Sequence, residues 1–157
     1  MPGNSDIEYV IQKYGSVVYG IICSGIRDRS EADDVYQEVF LLYYTKELHF
    51  DDEAARRSWL IRTAMNMTRS ANGSAWNRYR DGGELDAEAL PDDTRTPQER
   101  ALWDAVCGLR DKYRLPLVLH YFNGIPVNEA AELLELNENT FKSRLMRARK
   151  LLRKELV

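Results

Sequence analysis

The sequence predicts an all-α fold of two small helical domains joined by an acidic, flexible linker, and three observations predict it. Apolar residues recur at helical spacing along most of the 157 residues, while the alternation of half-buried strands is almost absent. That periodicity fails between Asp81 and Pro97, where DGGELDAEALPDDTRTP gathers acids, Gly and Pro and offers few large apolar groups. A stretch of this length suits a tether between two bodies better than a loop inside one. The domains are therefore expected at 1–80 and 98–157, with the linker at 81–97. A chain of this size can bury one ordinary core or two small ones.

The first helix is expected from Ile7 to about Cys23, capped by Ser5 or Asp6. The second is expected from Ser30, where S-E-A-D reads as a capping box: Ser30 accepts from an early backbone N–H and Asp33 reaches back. It carries Val35, Val39 and Leu42 on one stripe and Tyr36, Phe40 and Tyr43 on the next, an arc wide enough to pack on two sides. A third helix starts near Asp52 and includes Trp59, Leu60, Ala64 and Met67. Past the linker, helices are expected from about Gln98 to Gly108 and around Asp111 to Phe122. Val127 to Leu134 reads as a short helix with Ala130, Ala131, Leu133 and Leu134 apolar. Glu135-Leu136-Asn137 makes a tight connection, with Asn137 capping the helix that follows. In that final helix Phe141, Leu145, Ala148 and Leu152 fall at i, i+4, i+7 and i+11, one buried stripe.

The net charge of -3 and pI of about 5.5 argue against wholesale binding of a polyanion. The charge is segregated, however. Ala54 to Arg80 holds six arginines (Arg56, Arg57, Arg62, Arg69, Arg78, Arg80) and no acid; Asp81 to Gln98 holds six acids and only Arg95; from Lys142 onward seven basic residues face the single acid Glu155. Segregation of this kind means separate surfaces with separate partners. Cys23 and Cys107 stand far apart in apolar surroundings and are expected as buried thiols. With His49 and His120 they make no metal-ligand spacing, so no metal and no cofactor is expected. No signal peptide or membrane-length apolar run is visible: Val17 to Ile26 is short and broken by Gly20, Ser24 and Gly25. No membrane insertion is expected, and the location expected is cytoplasmic.

Two helices joined by a short turn, with a small Ala in the first, match a helix-turn-helix as the C-terminal domain. Opposite the buried stripe its last helix shows Lys142, Ser143, Met146, Arg147, Arg149, Lys150, Arg153 and Lys154. A DNA major groove admits one helix, whose N-terminal residues meet base edges while cations further along neutralise phosphates. A solvated basic helix closing a bundle would show the same charge; the helix-turn-helix spacing favours DNA.

The order of motifs carries a resemblance. A helix with D-D-V-Y-Q-E-V-F is followed by a helix with W-L-I-R-x-A-x-N, then the acidic linker, then G-I-P-V-N-E-A-A-E-L-L-x-L-N-E-N-T-F-K-S-R-L-x-R-A-R. This resembles an extracytoplasmic-function (ECF) sigma factor, of the RNA polymerase sigma factor superfamily, from about Ile7 to Leu156. The resemblance implies that Asp34, Gln37, Glu38 and Phe40 bind core RNA polymerase, at the clamp helices of its largest subunit. Trp59, Leu60 and Arg62 match the start of the helix that melts and reads the minus-ten promoter element, and Arg62, Asn66 and Arg69 are its expected DNA contacts. Trp59 itself reads as a core residue. An arginine-rich surface suits single-stranded DNA, since cations follow the backbone while pockets accept unstacked bases; the loop about Leu48 to Arg57 matches such a pocket. Thr140, Lys142, Ser143, Arg144, Met146 and Arg147 match the minus-thirty-five contacts, and Phe141 and Leu145 the packing positions. The second domain would also meet the flap of the second-largest subunit, and the linker would thread the polymerase active-site cleft. An anti-sigma factor is a further expected partner.

Three departures from the family pattern have structural consequences. Ser70-Ala71-Asn72-Gly73 replaces an Asp, an apolar pair and an Arg, and Asn72-Gly73 is a turn signal that predicts an early end to the helix. Pro126 replaces a capping Ser, and Glu135 stands where Gly is common, so strain is expected there. The function expected is promoter-specific initiation by a sigma factor, probed against one alternative, a stand-alone helix-turn-helix regulator. The first domain discriminates, because a regulator needs neither D-D-V-Y-Q-E-V-F nor a strand-melting helix. No nucleophile–base set or phosphate-cradling glycine loop is present, so no enzyme is expected.

Overall fold

The computed structural model describes residues 4–80 and 95–156, with side chains over 6–72 and 95–156. The described residues contain helices and no strand, and they fall into two compact units.

The first unit packs three helices. Helix α1 (Asn4–Gly25) starts before the expected site, so Ser5 and Asp6 lie in its first turn and are not its cap. Val10, Tyr14, Val18, Ile21 and Ile22 recur every three or four residues on it and are all buried. Helix α2 (Arg29–Lys46) is capped by Asp28, whose carboxylate accepts from Ser30 N at 2.9 Å. The capping box expected at Ser30 is therefore replaced. Asp28 closes the first turn by itself, and Asp33 turns to α1, accepting from Tyr19 Oη at 2.7 Å. Helix α3 (Glu53–Arg80) is capped by Asp52, which accepts from Ala55 N at 2.8 Å. It runs unbroken through Asn72-Gly73. That pair makes a turn where flanking strands demand one; within an established helix it costs only about 1 kcal/mol against Ala.

Three phenols tie the helices together at carboxylates. Tyr14 donates to Glu53 Oε2 (2.5 Å), Tyr19 to Asp33, and Tyr43 to Asp6 Oδ2 (3.1 Å). Burial raises all three phenol pKa values, that of Tyr43 to about 12, and the accepting carboxylates add to the effect. Glu53 shifts the other way: the Tyr14 hydrogen bond, with Arg56 and Lys13 beside it, lowers its pKa. Gly15 gives room to Tyr36, since a Cβ there would stand 2.8 Å from Tyr36 Oη and the phenol would have to shift. The buried hydroxyls of Ser24 and Thr68 donate back to the carbonyls of Ile21 and Ala64, which removes the penalty of burying them.

The second unit holds α4 (Pro97–Cys107), α5 (Asp111–Leu117), α6 (Val127–Leu133) and α7 (Glu138–Leu156). Helix α4 begins inside the stretch expected as linker, because Thr96 and Glu99 form a reciprocal capping box with Pro97 next to it. The rest of that stretch, 81–94, lies outside the described residues. After α5 the helix continues as a π-helical turn, Val118–Phe122. Pro116, buried within α5, cannot donate to the Lys112 carbonyl, yet the α pattern resumes at once, with Val118 N donating to Arg114 O. Buried Arg114, 6% exposed, is held by Asp111 (2.5 Å) and the Leu109 carbonyl (3.1 Å).

The turn between α6 and α7 is hydrogen-bonded throughout. Leu136 N donates to Ala131 O at 2.9 Å and Glu135 N to Glu132 O at 3.0 Å, the double bond of a Schellman C-cap. Glu135 supplies its left-handed residue, with φ 57°, so the expected strain is present. Asn137 Oδ1 accepts from Thr140 N at 2.8 Å, the expected cap. Phe141, Leu145, Ala148 and Leu152 are all buried, as their spacing predicts. Pro126 precedes α6 with no side-chain cap. Cys23 and Cys107, one in each unit, form no disulfide and are half-buried rather than fully buried as expected.

Candidate nucleic-acid interface

Helix α7 is amphipathic to an extreme degree: one apolar stripe is sunk in the unit, and the remaining circumference carries cations. Lys142, Ser143, Met146, Arg147, Arg149, Lys150, Arg153 and Lys154 are exposed, and Thr140 and Arg144 half-buried. Met146, 58% exposed, is an apolar group presented to solvent among them. Arg149 lies 4.7 Å from the Tyr121 ring centroid, which holds its guanidinium against the π-helical turn. On one flank an open depression of about 350 Å³ is lined by Tyr113, Asn139, Thr140, Ser143, Arg144 and Arg147. The structure thus gathers four of the six residues expected at the duplex and adds two that sequence reasoning missed. Asn139 sits within the quoted E-N-T motif and was open to detection. Tyr113 comes from α5, twenty-seven positions before Thr140, and nothing in the spacing points to it.

In the first unit α3 sets Arg62, Asn66 and Arg69 at i, i+4 and i+7, all exposed. Leu60, Ile61, Ala64, Met65 and Thr68 occupy the opposite, buried side. The segment expected as a base pocket divides into the loop 48–52 and the first turn of α3. Phe50 anchors that loop, stacking on Tyr43 at 6.2 Å with the rings 3° from parallel. Trp59 meets both rings at an angle, at 6.0 and 6.3 Å between centroids, and is half-buried rather than the core residue expected. Side chains at Arg78 and Arg80 lie outside the described residues.

On α2, Asp34, Gln37 and Glu38 form an exposed polar stripe. Phe40, expected beside them, is only 5% exposed and sets its ring against Tyr36 at 5.0 Å. Its position on the inward side of the helix makes it a support for the stripe and not part of its surface. Leu41 (61% exposed) and Tyr44 (42% exposed) stand on the outer surface of the same helix instead. Sequence reasoning missed both, because the apolar arc of α2 was wide enough to absorb them.

Two family descriptions match these two units. Sigma-70 region 2 matches residues 10–82, and Sigma-70 region 4 matches residues 99–152. The chain belongs to the sigma-70 family. Curated relatives place this sigma factor in the ECF group. The ECF RNA polymerase sigma factor SigW of Bacillus subtilis is 28% identical over 166 residues, spanning 94% of this chain and 87% of the relative. SigM of the same organism is 26% identical, over 94% and 93%. The RNA polymerase sigma-H factor of Pseudomonas aeruginosa is 27% identical, over 95% and 85%. In fold, the sigma factor is similar to RpoE of Bartonella quintana, solved with the anti-sigma factor NepR, at a TM-score of 0.80 and 19% identity over 96% of each chain. It is also similar to CnrH, solved with the cytosolic domain of CnrY, at a TM-score of 0.70 and 21% identity over 98% of this chain and 89% of that one. The α2 and α3 stripes lie in region 2 and the α7 surface in region 4. No described helix is long and apolar enough to cross a membrane.

Proposed function

We propose that this ECF sigma factor divides promoter recognition between its units and its polymerase docking along α2. Asp34, Gln37 and Glu38 dock on the clamp helices of core RNA polymerase, and Leu41 and Tyr44 extend that surface with apolar area. Arg62, Asn66 and Arg69 meet the opened minus-ten strand, where cations offset the few kcal/mol of unstacking. Thr140, Lys142, Ser143, Arg144, Met146 and Arg147 meet the minus-thirty-five duplex. The second unit also contacts the flap. The observation that carries the reading is a single chain with two exposed cationic stripes on two separate units, one per form of the DNA. The chain supplies no chemistry of its own: nucleotide addition is the work of the polymerase, in the cytoplasm. An anti-sigma factor that occludes these surfaces belongs to the same reading.

Run-off transcription with core polymerase on genomic fragments, with and without the chain, tests it. Start sites that depend on the chain are expected. Lys142→Ala and Arg147→Ala weaken them while binding to core survives. Loss of core affinity in those variants would overturn the division of labour.

A further inference from the structure

The depression beside α7 has a lining that the helix-turn-helix alone does not account for. Its side chains are a phenol, an amide, two hydroxyls and two guanidiniums, with no carboxylate among them. All six can donate a hydrogen bond. Arg144 and Arg147 form no ion pair with any described residue, and the Tyr113 hydroxyl makes no hydrogen bond to one. Lys112 adds a further cation, its Nζ standing 5.0 Å from the centroid of the Tyr113 ring. Unpartnered donors converging without an acid select an anion rich in acceptors.

The position of the depression says which anion. Thr140, Ser143, Arg144 and Arg147 follow one another at i, i+3, i+4 and i+7, so they make one flank of α7. Lys142 and Met146 are not part of that flank. A helix in the major groove presents its crest to base edges and its flanks to the two sugar–phosphate strands. A hollow on that flank, bounded by Tyr113 of α5 and lined by donors alone, suits a phosphate.

We propose that Tyr113, outside the helix-turn-helix, is a DNA contact: its hydroxyl joins Thr140, Ser143, Arg144 and Arg147 in seating one backbone phosphate of the bound duplex. This rests on the reading of the second unit as a duplex-binding domain. Tyr113 then fixes the depth and register of α7 in the groove while carrying no sequence preference.

The test uses holoenzyme rebuilt from core polymerase and the full chain. Its probes are duplexes recovered by the wild-type holoenzyme from a random-sequence pool, and scrambled duplexes of the same length. Tyr113→Phe keeps the ring, and an unchanged melting temperature verifies the fold. It weakens binding to both probe sets by a similar factor, about three- to tenfold for one hydrogen bond exchanged against water. The recovered sequence preference, the capture of single-stranded DNA and the salt dependence stay as in wild type. Arg144→Gln also weakens both sets and lowers the slope of log affinity on log salt by about one. Wild-type affinity in Tyr113→Phe, or a changed sequence preference, each overturns the proposal. A wild-type holoenzyme that recovers no duplex and initiates nowhere would instead sink the sigma-factor reading itself.

Discussion

Glu135 holds a left-handed backbone with an L side chain, a conformation costing about 1–2 kcal/mol that glycine adopts freely. The Schellman bonds around it hold the turn closed regardless, so the strain is carried by the hydrogen bonds of the helix-turn-helix. Glu135→Gly is expected to raise the stability of the second unit by about 0.5–1 kcal/mol, after the larger unfolded-state freedom of glycine is subtracted. Urea unfolding followed by far-ultraviolet circular dichroism checks it, and a lower midpoint would contradict it. Caps show what single residues disclose. Asn137 was evident from sequence because it stands one residue before a periodic run. Asp28 was not evident, because Ser30 two positions later is an equally good cap with an acid three residues on; in the structure that acid, Asp33, turns to Tyr19. The box at Thr96 and Glu99 was hidden by its place at the end of an acidic stretch. Thr96→Ala is expected to cost about 1 kcal/mol, read as a lower unfolding midpoint.

At the level of helices, the first unit is tied by phenols as well as by its apolar faces. A phenol that binds its proton more tightly when folded adds stability that is complete below its ordinary pKa of 10.0. The contribution is lost as pH rises through the folded value, about 12 for Tyr43. Thermal stability of the first unit should therefore fall between pH 10 and 12, and Tyr43→Phe should flatten that fall. Glu53 acts in the acid range with the opposite sign. Its lowered pKa stabilises the fold above the ordinary carboxylate value, and that contribution disappears as pH falls through the folded one. Tyr14→Phe should weaken the acid dependence, since the Tyr14 hydrogen bond is the leading cause of the shift. These bonds join residues 14 and 53, 19 and 33, and 6 and 43, separations with no periodic signature. Helix existence and the α7 stripe were readable because 3.6-residue periodicity is local. The π-helical turn was not, since the local periodicity of Val118–Phe122 fits an α-helix equally well.

For the whole molecule, the separation of surfaces makes failures separable. Leu41→Ala and Glu38→Ala remove exposed groups, so folding should be unaffected while core binding weakens and every dependent promoter loses output together. Lys142→Ala, at the helix proposed to meet bases, should instead redistribute output among promoters, since one good side-chain contact to a base contributes about 1–3 kcal/mol of discrimination. Core affinity by co-sedimentation and start-site mapping measure the two effects. A variant of Glu38 that altered promoter choice without altering core affinity would count against the assignment.

The sequence by itself determined the helical class, the split into two units, the turn before α7 and the stripe that faces inward, because each follows from local periodicity, capping and composition. It also carried the family, through motif order alone. Tertiary structure decided which faces remain open: it drew Phe40 into the core while leaving Leu41 and Tyr44 outside, and it brought Tyr113 from α5 to the flank of α7. The physical reason is that a helix of wide apolar arc fits several orientations equally well. Only the volumes and hydrogen bonds of the helices packed against it select one.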